Sequence, residues 1–214
     1  MELSLAEYLK PTPTIDCDAP SIQEKVKELT YGREEDVLKA VSLFYFVRDE
    51  IKYDVYAEHH LPEHYKASVI LARQSGYCVQ KAVLLTALAR AAGIPARLMF
   101  ATIKNHIPFG NLEQVMQTDL FVYHGYNELY IRGKWVKATP TFNLKLCREH
   151  GIIPVEFDGT QDAIFHSHNL EGKLHMEYLI HYGHHLDLPL DEMRAERLKI
   201  YGPVTYERLE MLKR

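Results

Sequence analysis

Cys78 follows Gly76-Tyr77 and opens the most apolar run of the chain, which extends to Ala92. Apolar residues on nearly every side of that run read as a buried, central helix, so the cysteine stands in its first turn. Unsatisfied backbone N–H groups and the helix dipole stabilise a thiolate there and make the sulfur nucleophilic. The same N–H groups can hold an oxyanion. A thiol that attacks an acyl carbon also needs a base to take its proton, and His124 is the best placed of the twelve histidines because it falls on an expected strand, 120–131. Alternation along that strand puts His124, Tyr126, Glu128 and Tyr130 on one face. A two-residue turn at Arg132-Gly133 folds the chain back through 135–139 and pairs Tyr126 with Thr139, which leaves Thr139 diagonally opposite His124. A nucleophile on a helix, a base on a strand and an orienting group on the adjacent strand is the arrangement that triad chemistry requires.

Lesser candidates surround these three. Gln74, four residues before Cys78, is a candidate second donor to an oxyanion, and Tyr77 and Tyr126 are candidate substrate contacts. His106, in a turn-like stretch, is a weaker candidate base. His59-His60, His166-x-His168 and His184-His185 offer imidazoles to a transition metal, but no cysteine or carboxylate joins them at a recognised spacing. They read as solvated or core histidines, and neither a metal nor another cofactor is expected.

The elements that must position this chemistry follow from periodicity. Helical spacing covers 21–29, with Ser21 as its cap and Pro20 opposing an earlier start, and again 34–51. Residues 52–66 break period and read as a long loop, and 67–73 as a short helical turn. The helix at Cys78 ends where Gly93 suits a left-handed cap and Pro95 prevents continuation. Residues 97–103 read as a strand leaving it, ahead of the hairpin. Beyond Thr139 the signals weaken: 152–157 reads as a strand, 191–199 as a helix, and 165–185 as irregular and histidine-rich.

Composition bounds the rest. In 214 residues, 47% apolar and 25% charged, there is material for one globular domain over 1–214, with a motif core at about 67–143 and an extension over 144–214 packed on it. The 25 basic and 29 acidic residues leave a net charge of -4 and no basic block to track a phosphate backbone, so nucleic acid is not an expected partner. No apolar stretch approaches the ~20 residues of a membrane span. The first thirty residues carry no basic segment followed by an apolar one, so a cytoplasmic location is the expectation. The three cysteines, Cys17, Cys78 and Cys147, have no CxxC spacing and read as reduced thiols.

Gly76-Tyr77-Cys78, the helix from Ala82 to Ala92 and Gly93-Ile94-Pro95-Ala96-Arg97 resemble the cysteine motif of the transglutaminase-like superfamily. His124, Tyr126, Glu128 and Tyr130, then Gly133-Lys134-Trp135-Val136 and Thr139-Pro140-Thr141, resemble its histidine motif, and the lead-in from Phe46 to Tyr53 resembles the segment before its cysteine. The resemblance implies a papain-like α+β fold, with N-terminal helices and the cysteine helix packed on an antiparallel sheet. It also implies a Cys–His–Asp triad acting on amide bonds, and an ion pair between Arg97 and Glu128 tying two strands together. This chain departs from the pattern at one position: the third member in W-x-x-x-D-P-T is Asp, and here it is Thr139. A hydroxyl accepts a hydrogen bond from imidazole but brings no charge to an imidazolium. Asn143, Asp158 and Asp162 are the substitute orienters. The expected function is thiol-dependent hydrolysis or acyl transfer on a peptide or small amide through a Cys78 acyl-thioester. The alternative is a catalytically weak or inactive binding module of the same fold.

Overall fold

The computed structural model describes residues 4–107 and 116–211, with side chains as far as Val204. Helix α1 (Pro20–Leu29) begins one residue ahead of the sequence expectation. Ala19 is its N-cap and Pro20 lies in its first turn, where the fixed φ of proline suits the helix and no N–H is missed. Ser21 therefore lies inside the helix rather than capping it. Helix α2 (Asp36–Tyr45) passes directly into a π-helical turn, Phe46–Glu50. The segment after it is mostly loop, as its broken period implies, but holds the short strand β1 (Lys52–Tyr53) and a 3₁₀ turn at Pro62–Tyr65. Helix α3 (Ala67–Arg73) leads to β2 (Ser75–Gly76), which pairs in parallel with β1.

Helix α4 (Cys78–Ala91) has every residue from Val79 to Arg90 buried. It lies between α1, α2 and α3 on one side and the main sheet on the other, the environment that its all-round apolar character demands. Even Lys81 is fully buried on it, donating from Nζ to the carbonyls of Arg48 (3.0 Å) and Ile51 (2.8 Å). That contact ties the chain entering β1 to the helix that begins at Cys78. Burial lowers the Lys81 pKa to about 7. Gly93, just past the helix end, has φ +82 with open space around it, as a left-handed cap requires.

The main sheet has the order β5-β4-β3-β6 and is antiparallel throughout. Its strands are β3 (Ala96–Asn105), β4 (Leu120–Ile131), β5 (Lys134–Ala138) and β6 (Met176–His185). The hairpin register is the expected one, Ile131 opposite Lys134 through Asn127 opposite Ala138. Two expectations are corrected. Residues 152–157 form no strand and join no ladder. The second half of 165–185 is not irregular: it forms β6, the edge strand paired with β3. Exposed Leu179 and Ile180, together with two register shifts against β3, hide the alternation by which a strand is recognised. Helices α5 (Leu144–His150) and α6 (Leu190–Met211, broken in helical geometry at Gly202) complete the order. Among the described residues no helix is long and apolar enough to cross a membrane.

Candidate functional site

Cys78 is the first residue of α4 and is partly exposed, whereas Cys17 and Cys147 are buried. Its thiol pKa is raised, because burial disfavours the anion more than its surroundings favour it. The Gly125 backbone N–H, the Arg197 guanidinium and the N–H groups of Val79 and Cys78 pull the other way. The helix start thus supplies the donors that the sequence implies, and desolvation outweighs them. Arg197, on α6, reaches this corner by donating to the carbonyls of Val122 (3.1 Å) and Tyr123 (3.5 Å) and to Tyr77 Oη (3.3 Å).

Strand β4 approaches this helix start more closely than a side chain allows. A Cβ on Gly125 would lie 2.8 Å from Val79 Cα and 3.3 Å from Val79 N, so glycine at this position is a condition of the contact. Odd-numbered positions face α4: Asn127 Nδ2 donates to Ala82 O (2.8 Å) and Thr86 Oγ1 (2.7 Å). Even-numbered positions face away from it. Just before His124 the strand carries a bulge, since Ala101 pairs with His124 and Ile103 with Phe121, and Tyr123 adopts φ +57. A tyrosine in the left-handed region costs about 1–2 kcal/mol. The bulge re-aims the strand at His124, a common use of such irregularities.

His124 is 2% exposed. Its ring stacks on Tyr126 (centroids 6.3 Å, 12°) and packs against Phe165 (5.0 Å) and Tyr178 (6.2 Å). Burial alone lowers its pKa to about 3, and no charged group offsets that burial. Its Nε2 has no hydrogen-bond partner. Cys78 and His124 line one cavity with Tyr53, Asn105, Thr141, Phe142 and Phe165 among its walls, and the space left is about 30 Å³, room for one or two waters. No hydrogen bond joins Cys78 Sγ to the imidazole.

Thr139 is buried at the position the register predicts, one residue past the end of the β4–β5 ladder. The expected hydrogen bond to His124 is absent: Thr139 Oγ1 and His124 Nε2 both lack partners. Thr139 Oγ1 instead lies close enough to the Tyr178 phenol to ease its ionisation, against a burial that raises it. None of the substitute orienters reaches the imidazole. Asn143 caps α5 by accepting from Leu146 N (3.1 Å). Asp158 is exposed and closes a turn on Thr160 and Gln161, and exposed Asp162 accepts from Lys137 N (2.9 Å).

Gln74 is exposed at the left-handed end of α3 and lies outside the cavity; its carbonyl accepts from Lys52 N. Tyr77 turns its phenol to Tyr65 (3.0 Å) and Arg197, also outside the cavity. Tyr126 is buried beside His124, its phenol 3.3 Å from His181 Nδ1, and burial raises its pKa to about 12, with Glu128 and Asp162 adding to the shift. Arg97 and Glu128 face each other across the β3–β4 ladder and form the expected ion pair, Nε–Oε2 2.7 Å and Nη2–Oε2 2.6 Å, with the guanidinium 4.0 Å above the Trp135 ring. His106 pairs with Glu177 (3.2 Å) instead of serving as a base at the cavity. Among the described residues no group of three or more His, Cys, Asp or Glu is arranged to hold a metal. The sequence reading missed Phe165, Tyr178 and Arg197, which come from weakly patterned segments past residue 140; Thr141 was visible only as part of a motif.

Comparison with known proteins agrees with this geometry. A "putative cysteine protease" from Cytophaga hutchinsonii has a crystal structure that superposes with a TM-score of 0.51 at 16% identity, covering 86% of this chain and 55% of that one. A "putative protease" from Parabacteroides distasonis gives 0.40 at 14% identity, over 63% of this chain and 25% of that one. The first likeness is one of fold, and the chain spans only about half of that protein. No curated protein matches. The model of the transglutaminase-like superfamily matches residues 23–140, which takes in α1 through β5, both Cys78 and His124, and the position of Thr139. The chain belongs to the transglutaminase-like superfamily.

Proposed function

We propose that this chain is a thiol-dependent acyl-transfer enzyme that opens an amide through an acyl-thioester on Cys78, with water as the favoured acceptor. The observation that carries the reading is the shared cavity: a cysteine at the start of a buried helix and a neutral imidazole line the same small apolar space. In the first step the sulfur attacks the acyl carbon while the imidazole takes the thiol proton. The oxyanion faces first-turn N–H groups of α4. The imidazolium then gives its proton to the departing amine. Water adds to the thioester with the imidazole again as base, which releases the acid and restores the thiol. Burial raises the Cys78 thiol and lowers the His124 imidazole to about 3, so a resting thiolate–imidazolium pair is disfavoured. Proton transfer therefore accompanies attack rather than preceding it.

The orphaned His124 Nε2 and Thr139 Oγ1 favour a second reading, a binding module for a peptide or small amide that keeps the cleft without effective turnover. Incubation with a small acyl thioester, followed by mass spectrometry, separates the two. An acyl adduct on Cys78 that disappears in Cys78→Ala supports the enzyme. Saturable binding with no adduct at any pH up to 9 supports the module and overturns the first reading.

A further inference from the structure

The cavity at Cys78 shares two lining side chains, Phe165 and Met176, with a larger space. Phe165 is 5% exposed, lies 5.0 Å from the His124 ring and stacks on Phe142 (4.8 Å, 29°), which in turn meets Tyr53 edge-on at 5.0 Å. On its other side Phe165, with Met176, borders an outer cleft of about 600 Å³ that also touches Ile164, His166, Leu174 and Glu177. These two residues are common to both spaces. The inner chamber has no charged side chain among its described lining residues. Its carboxamide, Asn105, is already engaged, both Oδ1 and Nδ2 bonding the Ile107 backbone. Thr141 differs: it is 1% exposed and its Oγ1 has no partner. A buried hydroxyl without a partner costs free energy, and a bound ligand with a polar atom at that point would recover it.

We propose that the chamber takes an uncharged, apolar acyl group that enters from the outer cleft by displacing Phe165, packs on Phe142 and His124 in its place, and is anchored by the Thr141 hydroxyl. The Phe165 ring occupies the seat of that group in the closed state. Charged acyl groups are excluded because the chamber offers no counter-charge to repay their desolvation. A few well-placed polar groups in an apolar pocket are the usual basis of such selectivity. This inference rests on the reading of Cys78 as the nucleophile.

Alkylation of Cys78 by iodoacetamide, N-benzyl iodoacetamide and iodoacetate, quantified by mass spectrometry, tests it without requiring turnover. Phe165→Ala is expected to raise the N-benzyl rate about 10-fold or more relative to iodoacetamide, the value of burying one aromatic group, with no gain for iodoacetate. Adding Thr141→Val should slow both amides about 2- to 10-fold, the worth of one hydrogen bond. Buried Cys17 and Cys147 report on the fold, since they stay unlabelled unless the variant opens globally; should Phe165→Ala label them, Phe165→Leu carries the same comparison. Equal acceleration of all three reagents, or no selective gain for the benzyl amide, overturns the inference. Selective alkylation of a Cys78 that accepts no acyl group overturns the enzyme reading and leaves standing only the chamber's selection of an uncharged, apolar group past Phe165.

Discussion

Replacing Thr139 by Asp restores the charge that the superfamily pattern places beside the histidine, and the structure sets the size of the effect. His124 is depressed to about 3 by burial alone, with no anion to oppose it. A carboxylate about 4 Å from the imidazolium, at an effective dielectric of about 20, stabilises it by about 4 kcal/mol, or about 3 pKa units. That returns the imidazole to about 6, and it strengthens the thiolate–imidazolium pair by the same amount. Thr139 is 1% exposed, so the new carboxylate is itself desolvated, and the His124 proton is the charge that compensates it. The assay is the rate of Cys78 alkylation by iodoacetamide against pH. Wild type should react only as its raised thiol ionises, with a single inflection above the free value of about 8.5. Thr139→Asp should add a shoulder of reactivity between about pH 6 and 8, with ¹⁵N signals of His124 showing an imidazolium below it. A variant that folds, shows His124 neutral at pH 5 and reacts along the wild-type curve would refute the claim that a missing charge disables the pair.

The companion substitution Thr139→Val removes a hydroxyl that does not bond His124 and lies beside the Tyr178 phenol, so it should leave Cys78 reactivity unchanged and alter stability by no more than about 1 kcal/mol in urea unfolding. Acid should destabilise the fold through its buried histidines. An unfolded His124 protonates near 6.5 and the folded one near 3, so the contribution is complete above pH 6.5 and is lost as pH falls towards 3, about 5 kcal/mol in all. His175, at about 4, adds to the slope over the upper part of the same window. Urea titrations from pH 7 to 4 should show stability falling, and His124→Gln should flatten that fall; a slope unchanged in the variant rules His124 out as its source. Gly125→Ala should cost about 1–3 kcal/mol, because its Cβ meets the Val79 backbone rather than a movable side chain. It should also change Cys78 alkylation, since β4 and the start of α4 must separate; wild-type values for both would contradict the close approach.

The sequence announces the parts of the site that lie on strongly patterned elements. An apolar helix bounded by Gly76 and Gly93 gives Cys78 its place, and a two-residue turn at Arg132-Gly133, with Arg132 at φ +51 and Gly133 at +81, fixes the register that brings Thr139 level with the histidine strand. The Arg97–Glu128 pair was legible only through the family motif that each follows, and the structure places the two as cross-strand neighbours. Hydrogen bonding was not legible. The diagonal placement of Thr139 is right, yet strand register fixes only Cα positions, and the direction of a short hydroxyl depends on Tyr178, which lies on a strand that the sequence did not reveal. The bulge at Tyr123 was equally hidden, because a left-handed tyrosine carries no sequence signal of the kind that glycine gives.

What sets the chemistry of this site apart comes from outside the stretch that places it in its family. The matched core, residues 23–140, takes in Cys78, His124 and Gly125, and the motif it resembles has an Asp where this chain has Thr139. The segment that follows supplies aromatic rings and a cation around the pair. Phe165 and Tyr178 cover His124 with aromatic rings, and the imidazole is held neutral by exclusion of water rather than charged by a partner. Arg197, bonded to the backbone of Val122 and Tyr123, sets a positive charge on the Cys78 side of the pair. Arg197 acts on the sulfur, yet burial still raises the thiol, and burial alone, with no anion to oppose it, disfavours the imidazolium. A Cys–His–Asp triad stabilises both ions together; on the acyl-transfer reading proposed here only the sulfur side is assisted, so the proton would leave in the same step in which the sulfur meets its acyl carbon.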